Sequence, residues 1–169
     1  MKFSTKSRYA IRLMIDIAQQ QPKKVSLKEI SERQAISLKY LEQIVNPLVK
    51  SGLLRSERGS QGGYTLAKEI KEYSIGEIIR IFEGGLMPIP CIEIQPNTCP
   101  RYQKCPTVHF WEGLGKVIND YVDSVSLQDL CTETKKEVLD VFFKQLAQYN
   151  NDSDGECSSD DDCKYSKRI

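Results

Sequence analysis

Apolar residues recur along the chain with two periods, and the switches between them mark out the elements. Ala10, Leu13, Met14, Ile17 and Ala18 share one face of a helix predicted over residues 4–20, with Lys6, Arg8, Arg12 and Asp16 largely off it. Pro22 and the Lys23–Lys24 pair end that pattern. Ser26-Leu-Lys-Glu29 has the spacing of a capping box, in which hydroxyl and carboxylate each satisfy the other residue's backbone N–H, so a short helix is expected at about 27–34. Ala35 and Ile36 leave a tight connection, and Ser37 stands where a cap would open a second helix through about residue 51. Pro47, inside that helix, predicts a kink or loosening one turn upstream. Two short helices this close make a helix-turn-helix unit.

Leu53–Glu57 and Tyr64–Ala67 then read as a two-stranded ribbon around Arg58-Gly-Ser-Gln-Gly-Gly63, whose glycines permit positive φ. Helix, helix-turn-helix and hairpin in that order is the plan of a winged-helix domain. A second capping box, Ser74-Ile-Gly-Glu77, opens a helix to about Glu83 that closes the domain at 1–83. Residues 84–106 hold five of the seven prolines and three of the six cysteines, which makes them a loop. From Thr107 a long helix is predicted to about Val125, with Phe110, Trp111, Leu114, Val117, Ile118, Tyr121, Val122 and Val125 on one stripe. That stripe is expected to bury against a partner helix, most simply its symmetry mate. A last helix at about 135–149 uses Val138, Val141, Phe142 and Leu146, so 107–149 forms a dimerisation and C-terminal helical region. Residues 150–169 bury too little to fold and are expected to be a disordered acidic tail. The fold class is therefore mainly α with a small β wing: a winged helix-turn-helix domain plus a long dimerisation helix.

Charge changes the picture more than composition does. The net charge of +1 hides an asymmetry, since residues 1–90 carry 15 Lys/Arg against 9 Asp/Glu and the remainder 9 against 14. A basic front half points to a polyanion. No apolar run approaches the roughly 20 residues that span a bilayer, and the N-terminus lacks a signal-peptide core, so a cytosolic protein without a membrane role is expected. A recognition helix would present Ser37, Lys39, Tyr40, Glu42 and Gln43 to the major groove of double-stranded DNA. Glu42 can accept from a cytosine amino group and Gln43 can pair an adenine. Arg58, next to Gly59 at the wing tip, suits a narrow minor groove.

Cys91-x7-Cys99-x5-Cys105 is the second chemical signal. In a reducing cytosol, clustered cysteines are metal ligands or redox thiols rather than disulfides. Cys99 and Cys105 each precede a proline, as ligands in iron–sulfur loops sometimes do, and the spacing is not the tight C-x2-C of zinc ribbons. His109, the only histidine, is the candidate for a fourth metal position. Cys131 is expected to be a packed thiol, and Cys157 and Cys163 sit in the tail with no assigned role. No glycine-rich nucleotide loop, Ser/His/Asp set or paired carboxylates stand out, so the chain does not read as an enzyme.

Lys6-Ser-Arg-Tyr-Ala10, the run from Glu29 to Gln43, Gly52-Leu-Leu and Arg58-Gly-x-x-Gly-Gly-Tyr64, followed by a three-cysteine loop and a Trp-bearing helix, together resemble the IscR/NsrR/CymR superfamily of bacterial winged-helix regulators. The resemblance covers about residues 1–130 and implies a homodimer that reads a palindromic operator, with an iron–sulfur cluster as sensory cofactor. The recognition helix is most similar to the IscR branch, where Ser37, Tyr40, Glu42 and Arg58 align with DNA-contacting positions. That branch spaces its cysteines C-x5-C-x5-C with a histidine three residues after the last; here Val108 takes that position and His109 comes one step later. The nitric-oxide-sensing branch borrows an acidic ligand from the first helix, where this chain has Arg8. A 2Fe-2S cluster is favoured and a 4Fe-4S cluster stays open. The alternative is a cluster-free regulator of cysteine or sulfur metabolism controlled by a protein partner, as in the CymR branch.

Overall fold

The computed structural model describes residues 2–59, 62–94 and 96–132; the helix expected at 135–149, the tail at 150–169, Cys157 and Cys163 lie outside the described residues. The first helix, α1, spans Thr5–Gln19, and its Ala10, Leu13, Met14 and Ile17 are fully buried. It is the hub of the fold, touching four later helices and the second strand of the wing. Ser4 caps it by accepting from the Ser7 N–H at 3.3 Å. The Glu83 carboxylate completes the cap, accepting from the Ser4 N–H at 2.8 Å and the Ser4 hydroxyl at 2.7 Å. Asp16, expected on the polar side, is only 3% exposed. Its burial is satisfied by the Arg33 fork, which donates at 2.6 to 3.2 Å, and by the Gln34 amide at 2.8 Å.

The second helix, α2, spans Leu27–Gln34 and opens on the predicted reciprocal box of Ser26 and Glu29. Hydrogen bonds from Lys23 first, and then Ser26, lower the Glu29 carboxyl to about 2. The turn after α2 passes through Ala35 in the left-handed region, at φ 53°. The Ser31 hydroxyl secures it by donating to the Ile36 carbonyl at 2.7 Å. The second helix of the helix-turn-helix, α3, is Leu38–Lys50. Ser37 takes the cap position, but its side chain makes no capping bond; its carbonyl instead closes the first turn, accepting from the Tyr40 and Leu41 N–H groups. Pro47 does not interrupt α3, whose Leu41, Ile44, Val45 and Leu48 hold one face on the core on both sides of the proline.

Strands β1 (Leu54–Glu57) and β2 (Gly63–Leu66) pair antiparallel, with Leu54 opposite Leu66 and Glu57 opposite Gly63. Val25 bridges to Tyr64 and joins this wing to the body. At its base the buried Tyr73 hydroxyl donates to the Leu53 carbonyl at 2.9 Å and accepts from the Ala67 and Lys68 N–H groups at 2.7 and 2.8 Å. Burial pushes its pKa up. Helix α4 is Ile75–Glu83, capped by the Ser74 hydroxyl. Only half of the second predicted box forms there, because the Glu77 carboxylate pairs with Lys68 at 2.9 and 3.0 Å.

The loop after α4 contains two single helical turns, Pro90–Ile92 and Tyr102–Lys104, and leads to α5 at Val108–Ser124. The predicted single stripe of α5 divides between two faces. Val122 and Val125 are buried in the core with Ile118 and Tyr121 against it, whereas Phe110, Leu114 and Val117 are exposed. Arg80 of α4 donates to Asp123 at 2.6 and 2.7 Å and to Asn119 at 2.6 Å, fixing α5 on the body. A short helix that the periodicity did not reveal, α6 (Leu127–Thr132), starts where Ser126 and Asp129 satisfy each other's N–H groups. Among the described residues no helix is long and apolar enough to cross a membrane.

The bonds from Ser7 and Ser4 hold the Glu83 carboxyl below its usual value of 4.5. Its grip on α1 is therefore complete above that pH and is lost as pH falls through the lower folded-state value. Glu83→Gln should be less stable than the parent in urea titrations at pH 7, and the gap should narrow steadily as pH drops below about 4. A gap unchanged from pH 7 to pH 3 would contradict the assignment.

Candidate nucleic-acid interface and cysteine loop

Helix α3 buries one side and turns the other outward. At about 100° per residue, Lys39, Glu42, Gln43 and Asn46 fall together on the outward side, and all four are exposed. Ser37 is exposed just ahead of them, its hydroxyl unspent on the helix cap. Tyr40 is half-buried, edge-on to Tyr9 with ring centroids 5.7 Å apart. Arg12 lies 5.3 Å from the centroid of the Tyr9 ring and donates to the Gln34 carbonyl at 2.7 Å. Tyr40 is thus anchored by α1, unlike its freely exposed neighbours. Thr5, Tyr9, Ala35, Ile36, Ser37 and Tyr40 line an open cleft of about 410 Å³ at the start of α3. Two outward residues escaped the sequence reading. Asn46 follows Lys39 by seven positions, a spacing that signals a shared face, and Leu38 was hidden by its apolar character.

At the wing tip the Gly62 N–H donates to the Gly59 carbonyl at 3.0 Å, and Gly59 sits at φ +112°, a region that side chains disfavour. A Cβ on Gly62 would lie 2.3 Å from the Glu57 carbonyl oxygen, so this turn closes only with glycine there. Arg58 is exposed on it. Lys24 pairs with Glu57 at the foot of the turn.

Cys91 is exposed, and Cys99 and Cys105 are half-buried. Asn97 links the first two, its amide donating to the Cys91 carbonyl and its side-chain oxygen accepting from the Cys99 N–H at 2.9 Å. The Cys105 thiol contacts the Thr107 hydroxyl at 3.5 Å. Hydrogen bonding to the Thr107 side chain and backbone lowers its pKa, with Arg101 adding a smaller electrostatic pull. Tyr102 donates to Glu112 and ties the loop to α5. His109 is 95% exposed with Nδ1 3.4 Å from Glu112. Among the described residues no three His, Cys, Asp or Glu side chains converge on a common point. Cys131 is half-buried, and desolvation raises its pKa.

A winged helix with an exposed polar face on α3 and a cysteine loop ahead of a long helix agrees with what sequence comparison finds. Residues 3–133 match Rrf2, described as an iron-dependent transcriptional regulator. The chain belongs to the Rrf2 family. The regulator IscR of Pectobacterium carotovorum is 36% identical over 156 residues, which are 92% of this chain and 93% of that protein. The solved structure of CymR, the global cysteine regulator of B. subtilis, is 34% identical with a TM-score of 0.62, covering 80% of this chain and 99% of that one. The T. potens IscR structure is 32% identical with a TM-score of 0.61, covering 94% of each chain. This Rrf2 protein is a DNA-binding transcriptional regulator and not an enzyme.

The Rrf2 wing should be sensitive at Gly62. Gly62→Ala must displace backbone to avoid the Glu57 carbonyl, at a cost of about 1–3 kcal/mol. The variant should keep its helical circular dichroism, melt lower, and bind DNA more weakly than the parent.

Proposed function

We propose that this protein is a homodimeric repressor in the cytosol that reads a palindromic operator and reports iron–sulfur status through Cys91, Cys99 and Cys105. The observation that carries the sensing role is the loop itself, in which three thiols lie between the DNA-binding head and α5. Three soft thiolate donors suit an iron–sulfur cluster, and the lowered pKa of Cys105 favours its ligating form. Cys91, Cys99 and Cys105 would hold the group, which when bound supplies a centre sensitive to oxidants and to iron supply. A 2Fe-2S cluster is favoured, with 4Fe-4S the alternative. His109 is the candidate fourth ligand, although it faces Glu112 along α5. The exposed Phe110, Leu114 and Val117 give α5 an apolar face for a second copy.

On DNA, Ser37, Lys39, Tyr40, Glu42 and Gln43 face the major groove while Arg58 and Gly59 meet the adjacent minor groove. Lys39→Ala should weaken binding to all duplexes alike and reduce the salt slope by about 1, whereas Glu42→Ala should cost about 1–3 kcal/mol and relax specificity at one position per half-site. Competition binding over a salt series separates the two.

The structural likeness to CymR favours one other reading, a cluster-free regulator of sulfur metabolism controlled by a protein partner. Anaerobic purification distinguishes them. The sensing reading expects coloured protein absorbing near ~400 nm, with iron and sulfide on the order of one cluster per chain, and a colourless Cys91→Ser/Cys99→Ser/Cys105→Ser variant with altered regulation. A colourless, iron-free parent, with regulation unaltered in the triple variant, would leave the partner-driven reading.

A further inference from the structure

Leu38 opens α3 and is 46% exposed. The packing needed at this helix start is met by other residues. Ile36, just before Ser37, and Leu41, one turn on, both belong to the core, in the positions of a hydrophobic staple. Leu38 is not among the side chains packed on that core. A leucine at the first helical position also gains nothing from the positive end of the helix dipole, which favours acidic side chains. Its exposed neighbours are Ser37, Lys39 and, four residues on, Glu42, all polar and able to hydrogen-bond base edges or phosphates. An apolar side chain set among them has one apolar counterpart on the floor of the major groove, the 5-methyl group of thymine.

We propose that Leu38 is a specificity-determining residue that covers the methyl group of a thymine beside the base read by Glu42. Four residues of helix advance about 6 Å, which is one to two base steps of about 3.4 Å, so the two side chains address neighbouring pairs. The contact removes an exposed apolar surface of the free protein from water as the duplex binds. The inference rests on α3 entering the major groove.

Deoxyuridine tests it, because it pairs as thymidine does and lacks only the methyl group. The full chain is used to select its duplex from a randomised pool, and each thymine of that duplex is then replaced singly. The parent should lose on the order of threefold to fivefold in affinity at one thymine per half-site, the size expected for one methyl group withdrawn from water. Leu38→Ala should bind the thymine and uracil duplexes alike, Leu38→Met should keep the preference, and Glu42→Ala should keep it too. A tightly bound duplex indifferent to every replacement, or a preference undiminished in Leu38→Ala, overturns the assignment while leaving groove reading intact. A parent that enriches no duplex overturns groove reading and this assignment with it.

Discussion

The wing stays on the helical body because one phenol is buried between them with its hydrogen bonds complete. A hydroxyl taken from water without partners costs several kcal/mol at the upper end of measured scales, about 1–3 in proteins. Tyr73 avoids that cost by reaching the carbonyl before β1 and the two N–H groups after β2 at once. Two strands of four residues would be marginal alone. Anchored at the base by Tyr73 and at the side by Val25, they can hold Arg58 out at their tip.

The same economy governs the helix-turn-helix. Asp16 sits almost sealed under α2, and Arg33 and Gln34 supply donors to both of its carboxylate oxygens. The clasp joins α1 to the end of α2 immediately before the left-handed turn at Ala35. Tyr9 and Tyr40 continue the join into α3. Rigid support on the inward side is what allows the outward side to be wholly polar apart from Leu38, with side chains available to a ligand instead of to the fold.

Much of this was legible in the residues. The apolar period of α1, the box at Ser26 and Glu29, and the glycines of the wing each state a local physical requirement, and each lies where expected. What was not legible depends on distant partners. Asp16 looked like a solvated charge because Arg33 is seventeen residues away in the chain. Glu77 fitted a capping box, but Lys68 competes for its carboxylate. The apolar residues of α5 formed one list by period, and only the position of α4 shows which of them turn inward. The Ser126-Leu-Gln-Asp129 box that starts α6 was readable and was masked by the shortness of the apolar run behind it. For the cysteine loop, the spacing identified donors of one chemical kind, while their arrangement is a matter of tertiary geometry that spacing does not encode.

Arg80 has a wider effect than its two bonded partners indicate. By clamping Asp123 and Asn119 it makes α4 and the far half of α5 a single bracket, and the near half of α5 carries the exposed Phe110, Leu114 and Val117. A second copy seated on Phe110, Leu114 and Val117 would therefore be linked through α4 to the helix-turn-helix. In a symmetric pair this guanidinium would act as the joint of a pair of calipers, setting the stride between the two points at which the assembly touches its track.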